Sequence, residues 1–139
     1  MSIFNQFKTS KTAEEEGILI KFAANEDGSI PTFKIGRQCR SNTKWAKTFE
    51  AKTRPYKDEI SDKTIETDVA EKLNIEVFCS AILLDWQNVR DEDDVEIAFT
   101  FDNAVKLMTD LPDLYETLNA KSMVMENFLS IKMKTDSKN

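Results

Sequence analysis

The spacing of apolar positions changes along the chain, and each change marks an expected element. From Gly17, the run Ile18-Leu19-Ile20-Lys21-Phe22 is dense in β-branched and aromatic residues. It is followed by Asn25-Glu26-Asp27-Gly28, whose Asp-Gly pair suits a turn, and by Ile30 to Ile35, with Phe33 and Ile35 on one face. That is the pattern of a β-hairpin, with Pro31, which lacks an amide donor, at the start or edge of its second strand. After Ser41-Asn42-Thr43, a set of capping side chains, Trp45, Ala46 and Phe49 follow at helical spacing until Pro55. A helix over 43–53 is predicted. Beyond Ser61-Asp62, Ile65, Val69, Leu73 and Val77 recur every four residues, and Phe78, Ala81, Ile82 and Leu84 thicken the stripe. This predicts a central helix ending near Trp86. Val95, Ile97 and Phe99 alternate with polar positions as a short strand would, and Asp102 then caps a helix carrying Val105 and Met108. The last helix opens with Pro112 and lays down Leu111, Leu114, Tyr115, Leu118, Ser122, Met125, Phe128 and Leu129.

These elements predict an α+β, mainly α fold: an N-terminal β-hairpin over 17–40 packed on a bundle of about four helices within 41–131. A flexible arm, 1–16, precedes the hairpin and a frayed polar tail, 132–139, closes the chain. At 139 residues with 40% apolar content, the chain suffices for one domain with a continuous core. Ile65, Val69, Leu73, Trp86, Leu114, Leu118 and Phe128 are the expected core.

Charge changes the picture because of its distribution. Residues 1–60 carry 11 Lys/Arg against 8 Asp/Glu, and residues 61–139 carry 8 against 17, so the halves stand at +3 and −9. Between Lys34 and Lys57 there are eight basic residues (Lys34, Arg37, Arg40, Lys44, Lys47, Lys52, Arg54, Lys57) and one acid, Glu50. This stretch suits a polyanion or an acidic protein surface. Nucleic acid is the weaker of the two on an acidic chain, and a solvated helix face is the bland reading.

Candidate chemistry is sparse. There is no histidine, which removes the usual general base and the commonest zinc ligand. The three glycines, Gly17, Gly28 and Gly36, do not form a phosphate-binding loop. Cys39 and Cys79 fall in different expected elements and read as inert reduced thiols. Asp91-Glu92-Asp93-Asp94 lacks the glycine of a calcium loop and reads as a solvated turn. Asp110 and Asp113 complement a helix dipole better than they form an acid–base pair. Of the methionines, Met123 and Met133 are left for surface contacts. No apolar run approaches the length that crosses a bilayer. The expectation is a binding protein with no cofactor, no metal and no enzymatic activity.

Several segments stand in a definite order: Phe33-Lys34-Ile35-Gly36-Arg37; Ser41-Asn42 before an aromatic-containing helix; Arg54-Pro55-Tyr56; and Ala81-Ile82-Leu83-Leu84-Asp85-Trp86-Gln87-Asn88-Val89. Phe101-Asp102-Asn103-Ala104 and Asp110-Leu111-Pro112-Asp113-Leu114 follow, and Phe128 closes the series. Together they resemble the tail assembly chaperones of long-tailed, non-contractile phages (siphophages). Asp93-Asp94 departs from the family's frequent Asp-Gly pair in the acidic turn. The resemblance implies binding to the long, helical, aggregation-prone tape measure protein, several copies along one chain, with the tail tube protein as a second partner. It also implies action in the host cytoplasm and absence from the finished tail. On this reading Arg37, Arg40 and Lys44 steer a partner, while Trp86, Leu111 and Met123 belong to the tape-measure face. The alternative is a small nucleic-acid-associated phage regulator using the basic stretch 34–57.

Overall fold

A computed structural model describes residues 1–130. Three strands, β1 (Ile18–Lys21), β2 (Thr32–Ile35) and β3 (Leu83–Gln87), form an antiparallel sheet in the order β1-β2-β3. Among the described residues there are seven α-helices: α1 (Ile3–Phe7), α2 (Lys11–Glu16), α3 (Thr43–Thr53), α4 (Lys57–Ser61), α5 (Thr67–Val77), α6 (Phe101–Asp110) and α7 (Pro112–Ser122). The four longest, α3, α5, α6 and α7, are the expected bundle, and the fold is α+β, mainly α.

The expected hairpin is present, with Ile18 opposite Ile35 and Ile20 opposite Phe33. Its connection turns at Asn25–Gly28, where the Gly28 amide donates to the Asn25 carbonyl at 2.9 Å and Gly28 takes a φ of 89°. Pro31 stands just before β2, where its missing amide proton breaks no ladder bond. The helix predicted over 43–53 is α3, capped by Asn42, whose Oδ1 accepts from the Trp45 amide.

The central helix is corrected. It begins at Thr67 rather than Ser61-Asp62 and stops at Val77; the chain then makes a π-helical turn, Phe78–Ile82, and enters β3. Phe78, Cys79, Ala81 and Ile82 are all buried. A stripe at helical spacing and an apolar run buried on several sides look alike in sequence, and here the run widens the helix and then extends into a strand. Residues 41–131 are therefore not wholly helical. Trp86 sits on β3, opposite Phe33.

Three other expectations are revised. Residues 95–99 do not form a strand: apart from an isolated bridge between Arg90 and Glu96, the segment is irregular. The cap of α6 is Thr100, whose hydroxyl accepts from the Asn103 amide at 3.1 Å, with Asp102 in the first turn. The last helix ends at Ser122 and is followed by a 3-10 turn, Met125–Phe128. The segment expected to be a flexible arm divides in two. α1 buries no side chain, whereas α2 buries Ala13 and Glu14, and Thr9 bridges Leu129. The tail 132–139 and Met133 lie outside the described residues.

The core joins one face of the sheet to the π-turn, α6 and α7. Phe33, Ile35, Phe78, Ile82, Leu83, Trp86, Met108 and Leu118 form its centre. Trp86 meets Phe33 and Phe99 edge-on with ring centroids 5.9 and 5.0 Å away, and its indole N–H donates to the Ile97 carbonyl at 2.7 Å. Of the expected core residues, Trp86, Leu118 and Phe128 are buried, while Ile65, Val69, Leu73 and Leu114 are half-buried.

Candidate partner-binding surfaces

The three cations expected to steer a partner occupy different environments. Arg37 Nη1 donates to Glu14 Oε2 at 2.6 Å, and Glu14 is buried. The backbones join as well: the Arg37 amide donates to the Glu14 carbonyl at 2.9 Å, and the Asn42 side-chain amide donates to the Arg37 and Glu14 carbonyls. Gly36 allows this approach, since a Cβ there would lie 2.8 Å from the Glu14 carbonyl oxygen. Arg37 is thus a strut tying α2 to the loop before α3. Arg40 and Lys44, by contrast, are exposed and have no ion-pair partner among the described residues.

The three residues expected on the apolar face also separate. Trp86 is in the core and can act on a surface only from beneath. Leu111 is 49% exposed at the start of α7 and Met123 is 58% exposed just past its end, next to exposed Val124. Eleven helical residues lie between them, about 16 Å. They do not form one patch.

A surface that the sequence reading missed lies between α3 and α4. Neither helix buries a residue fully, nor does the 3-10 turn Arg54–Tyr56 between them. Phe49 and Ile60 line a groove of about 560 Å³, with Glu50, Thr53, Arg54 and Lys57 around it. Phe49 is held by stacking on Trp45, centroids 5.4 Å apart, and Tyr56 is exposed nearby in sequence. Arg54 pairs with Glu50, while Lys57 has no ion-pair partner among the described residues. Lys52 pairs with Glu76 at 3.6 Å and stands over the Phe101 ring at 5.3 Å, fixing α3 to α5 and α6. The available signal was Phe49 and Ile60 set among basic residues, with too few apolar neighbours to close over them.

A second groove, about 410 Å³, opens beside Leu111. Ile97, Leu107 and Leu111 give it apolar walls, and Asp91, Glu92 and Asp110 an acidic edge. Its two cations are already engaged. Arg90 pairs with Asp27 and Asp94, and Lys106 with Asp110. Hydrogen bonds from the Ser29 hydroxyl and amide, with Arg90 adding to them, hold the Asp27 carboxyl down at about 2.

Among the described residues no group of three His, Cys, Asp or Glu is placed to hold a metal ion, and no helix is long and apolar enough to cross a membrane. Both cysteines are free thiols. Burial, with the nearby Glu76 charge adding to it, pushes the Cys79 thiol up to about 12, far from reactivity at neutral pH. Cys39 is half-buried, its Sγ 3.2 Å from the Ser41 hydroxyl.

No curated protein and no solved structure matches this chain. A family profile does. That of the YdaY prophage protein matches residues 40–139, from the loop before α3 onward, leaving β1 and β2 ahead of the matched region. The match spans well over half of the chain, so the chain belongs to the phage-derived family of YdaY prophage proteins.

Proposed function

We propose that this protein is a tail assembly chaperone of a long-tailed, non-contractile phage, which binds the tape measure protein and keeps it soluble while the tail is built. The observation that carries the reading is the α3–α4 ridge: a charged surface, fully burying nothing of its own, that exposes Phe49 and Ile60 in a groove edged by Arg54 and Lys57. A long amphipathic helix needs such a receptor, with an apolar groove for its side chains and charge at the edge to fix its register. Membership of a phage-derived family and the ordered motifs from Phe33 to Phe128 support the same reading.

One such groove covers only a short piece of helix, so protection of a long partner requires several copies, each docking weakly and gaining from its neighbours. Arg40 and Lys44, exposed and without an ion-pair partner among the described residues, are the cations we assign to steering the tube protein or another acidic partner. Nucleic acid is less favoured as the partner. Of the eight basic residues over 34–57, three (Arg37, Lys52 and Arg54) are already paired with carboxylates. The proposed activity is binding without catalysis, in the host cytoplasm, by a protein that leaves before the particle is complete.

Co-expression with the tape measure protein encoded beside it tests the reading. The expected result is a soluble complex with several copies per tape measure, and mass spectrometry of finished particles should find none of this chain. A tape measure that stays insoluble and unbound contradicts the proposal. A mobility shift with DNA at near-physiological salt would favour the regulator instead.

A further inference from the structure

We propose that the chain associates with itself head to tail, with the N-terminal arm of one copy seated in the acid-edged groove beside Leu111 of the next.

The arm carries the reason. α1 is five residues long and buries none of them, yet Ile3, Phe4 and Phe7 are 68, 67 and 58% exposed. So short a helix gains almost nothing from its own hydrogen bonds, since nucleation outweighs them, and it buries no side chain to make up the difference. Its sequence nevertheless spends three large apolar residues within five positions. Such a segment is built to be covered.

The groove fits it in polarity and in charge. Ile97, Leu107 and Leu111 offer apolar walls, and Leu111 is itself about half exposed. On its acidic side Asp91 and Glu92 have no ion-pair partner among the described residues. The tip of the arm is the opposite: residues 1–11 contain Lys8 and Lys11 and no acid, the acids of the arm being Glu14, paired with Arg37, and Glu15 and Glu16 at the end of α2. The α3–α4 groove is the poorer host, because the one charge on its edge without an ion-pair partner among the described residues is Lys57, Arg54 being paired with Glu50. Like charge there opposes a basic arm.

Topology separates arm and groove on one copy. The Ser130 amide donates to the Lys8 carbonyl and the Ser10 amide to the Phe128 carbonyl, each 3.0 Å or shorter. Glu14 is tied to Arg37, and the next residue, Gln38, donates from its amide to the Ser122 carbonyl and from its side chain to Asn119. The base of the arm is thereby fixed at the segment that follows α7, next to Gln38 at the C-terminal end of that helix, whereas the groove opens at the residue before α7 begins. A contact between different patches of successive copies is heterologous. It leaves a free arm at one end and a free groove at the other, so it propagates.

This inference does not rest on the chaperone reading and is tested with the full chain alone. Sedimentation velocity over a concentration series should show reversible association that weakens with salt. Phe4→Asp with Phe7→Asp in one variant, and Leu111→Lys with Glu92→Lys in another, should each weaken association about tenfold or more, with circular dichroism unchanged. Mixing the two variants restores one intact junction, from the groove variant's arm into the arm variant's groove. The mixture should stop at a one-to-one dimer. Three results would overturn the proposal: a parent chain that stays monomeric throughout the series, variants that associate as the parent does, or a mixture that forms no dimer. A monomeric parent whose arm variant loses the tape measure would assign the arm to that partner instead.

Discussion

Two neighbouring regions use their apolar residues in opposite ways. Over 78–89, the π-turn and β3 send Phe78, Cys79, Ala81, Ile82, Leu83, Trp86 and Val89 into the core. Over 43–61, two helices and the turn between them bury no side chain fully, and Phe49, Tyr56 and Ile60 remain exposed. Both regions contain aromatic and branched residues, so composition alone does not separate them. What differs is the neighbours. The first region is enclosed by β2, α3, α5 and α6, whereas in the second only the inner side of α3 is covered, where Trp45 and the Lys52–Glu76 ion pair hold it against α5 and the π-turn, and its outer side and α4 stay open. The first specifies the fold, and the second is left free to meet something else.

The contrast predicts unequal responses to substitution. Leu118→Ala, at a fully buried position facing the first region, should cost about 2 to 5 kcal/mol in chemical denaturation, because a cavity adds to the lost transfer energy. A loss of a few tenths would mean that α7 packs less firmly than described. Glu14→Ala should cost about 2 kcal/mol, since it strips Arg37 of its carboxylate at a buried site. Reversing Arg40 and Lys44 to Glu should leave stability almost unchanged and slow association with an acidic partner, most strongly at low salt. If Glu14→Ala were as mild as that reversal, Arg37 would belong with the steering cations after all.

A smaller effect concerns the thiols. Cys39 should react with a thiol reagent at mildly alkaline pH while Cys79 stays protected until the chain unfolds. The sign follows from burial. The folded Cys79 thiol sits near 12 against an ordinary 9.0, so its contribution to stability is complete below 9.0 and is lost as pH rises toward 12. Equal labelling of both cysteines in the folded chain would show that the π-turn opens readily.

Legibility in the sequence followed the kind of signal. The hairpin was readable because Asn25–Gly28 separates two short runs of strand-forming residues, and α3 because Asn42 caps it and Pro55 closes it. β3 was not readable. Ile65, Val69, Leu73 and Val77 set a four-residue period that Ala81, Ile82 and Leu84 continue, and nothing local marks the change to a strand at Leu83. The surfaces were harder still. Whether Arg37 is a steering charge or a strut depends on Glu14, 23 positions away, and whether Trp86 is exposed depends on Ile97 and Phe99 closing over it. Arg40, Lys44, Leu111 and Met123 are exposed, each at or near the end of a helix.

The most direct test of the central claim is hydrogen–deuterium exchange of the chain, free and bound to the tape measure protein, because it reads the two contrasted regions in one experiment. The account predicts that binding slows exchange over 43–61, around Phe49 and Ile60, and leaves 78–89 at its already slow rate. Unchanged exchange over 43–61 in a demonstrated complex would contradict the assignment of that ridge, and the absence of any complex would contradict the function itself.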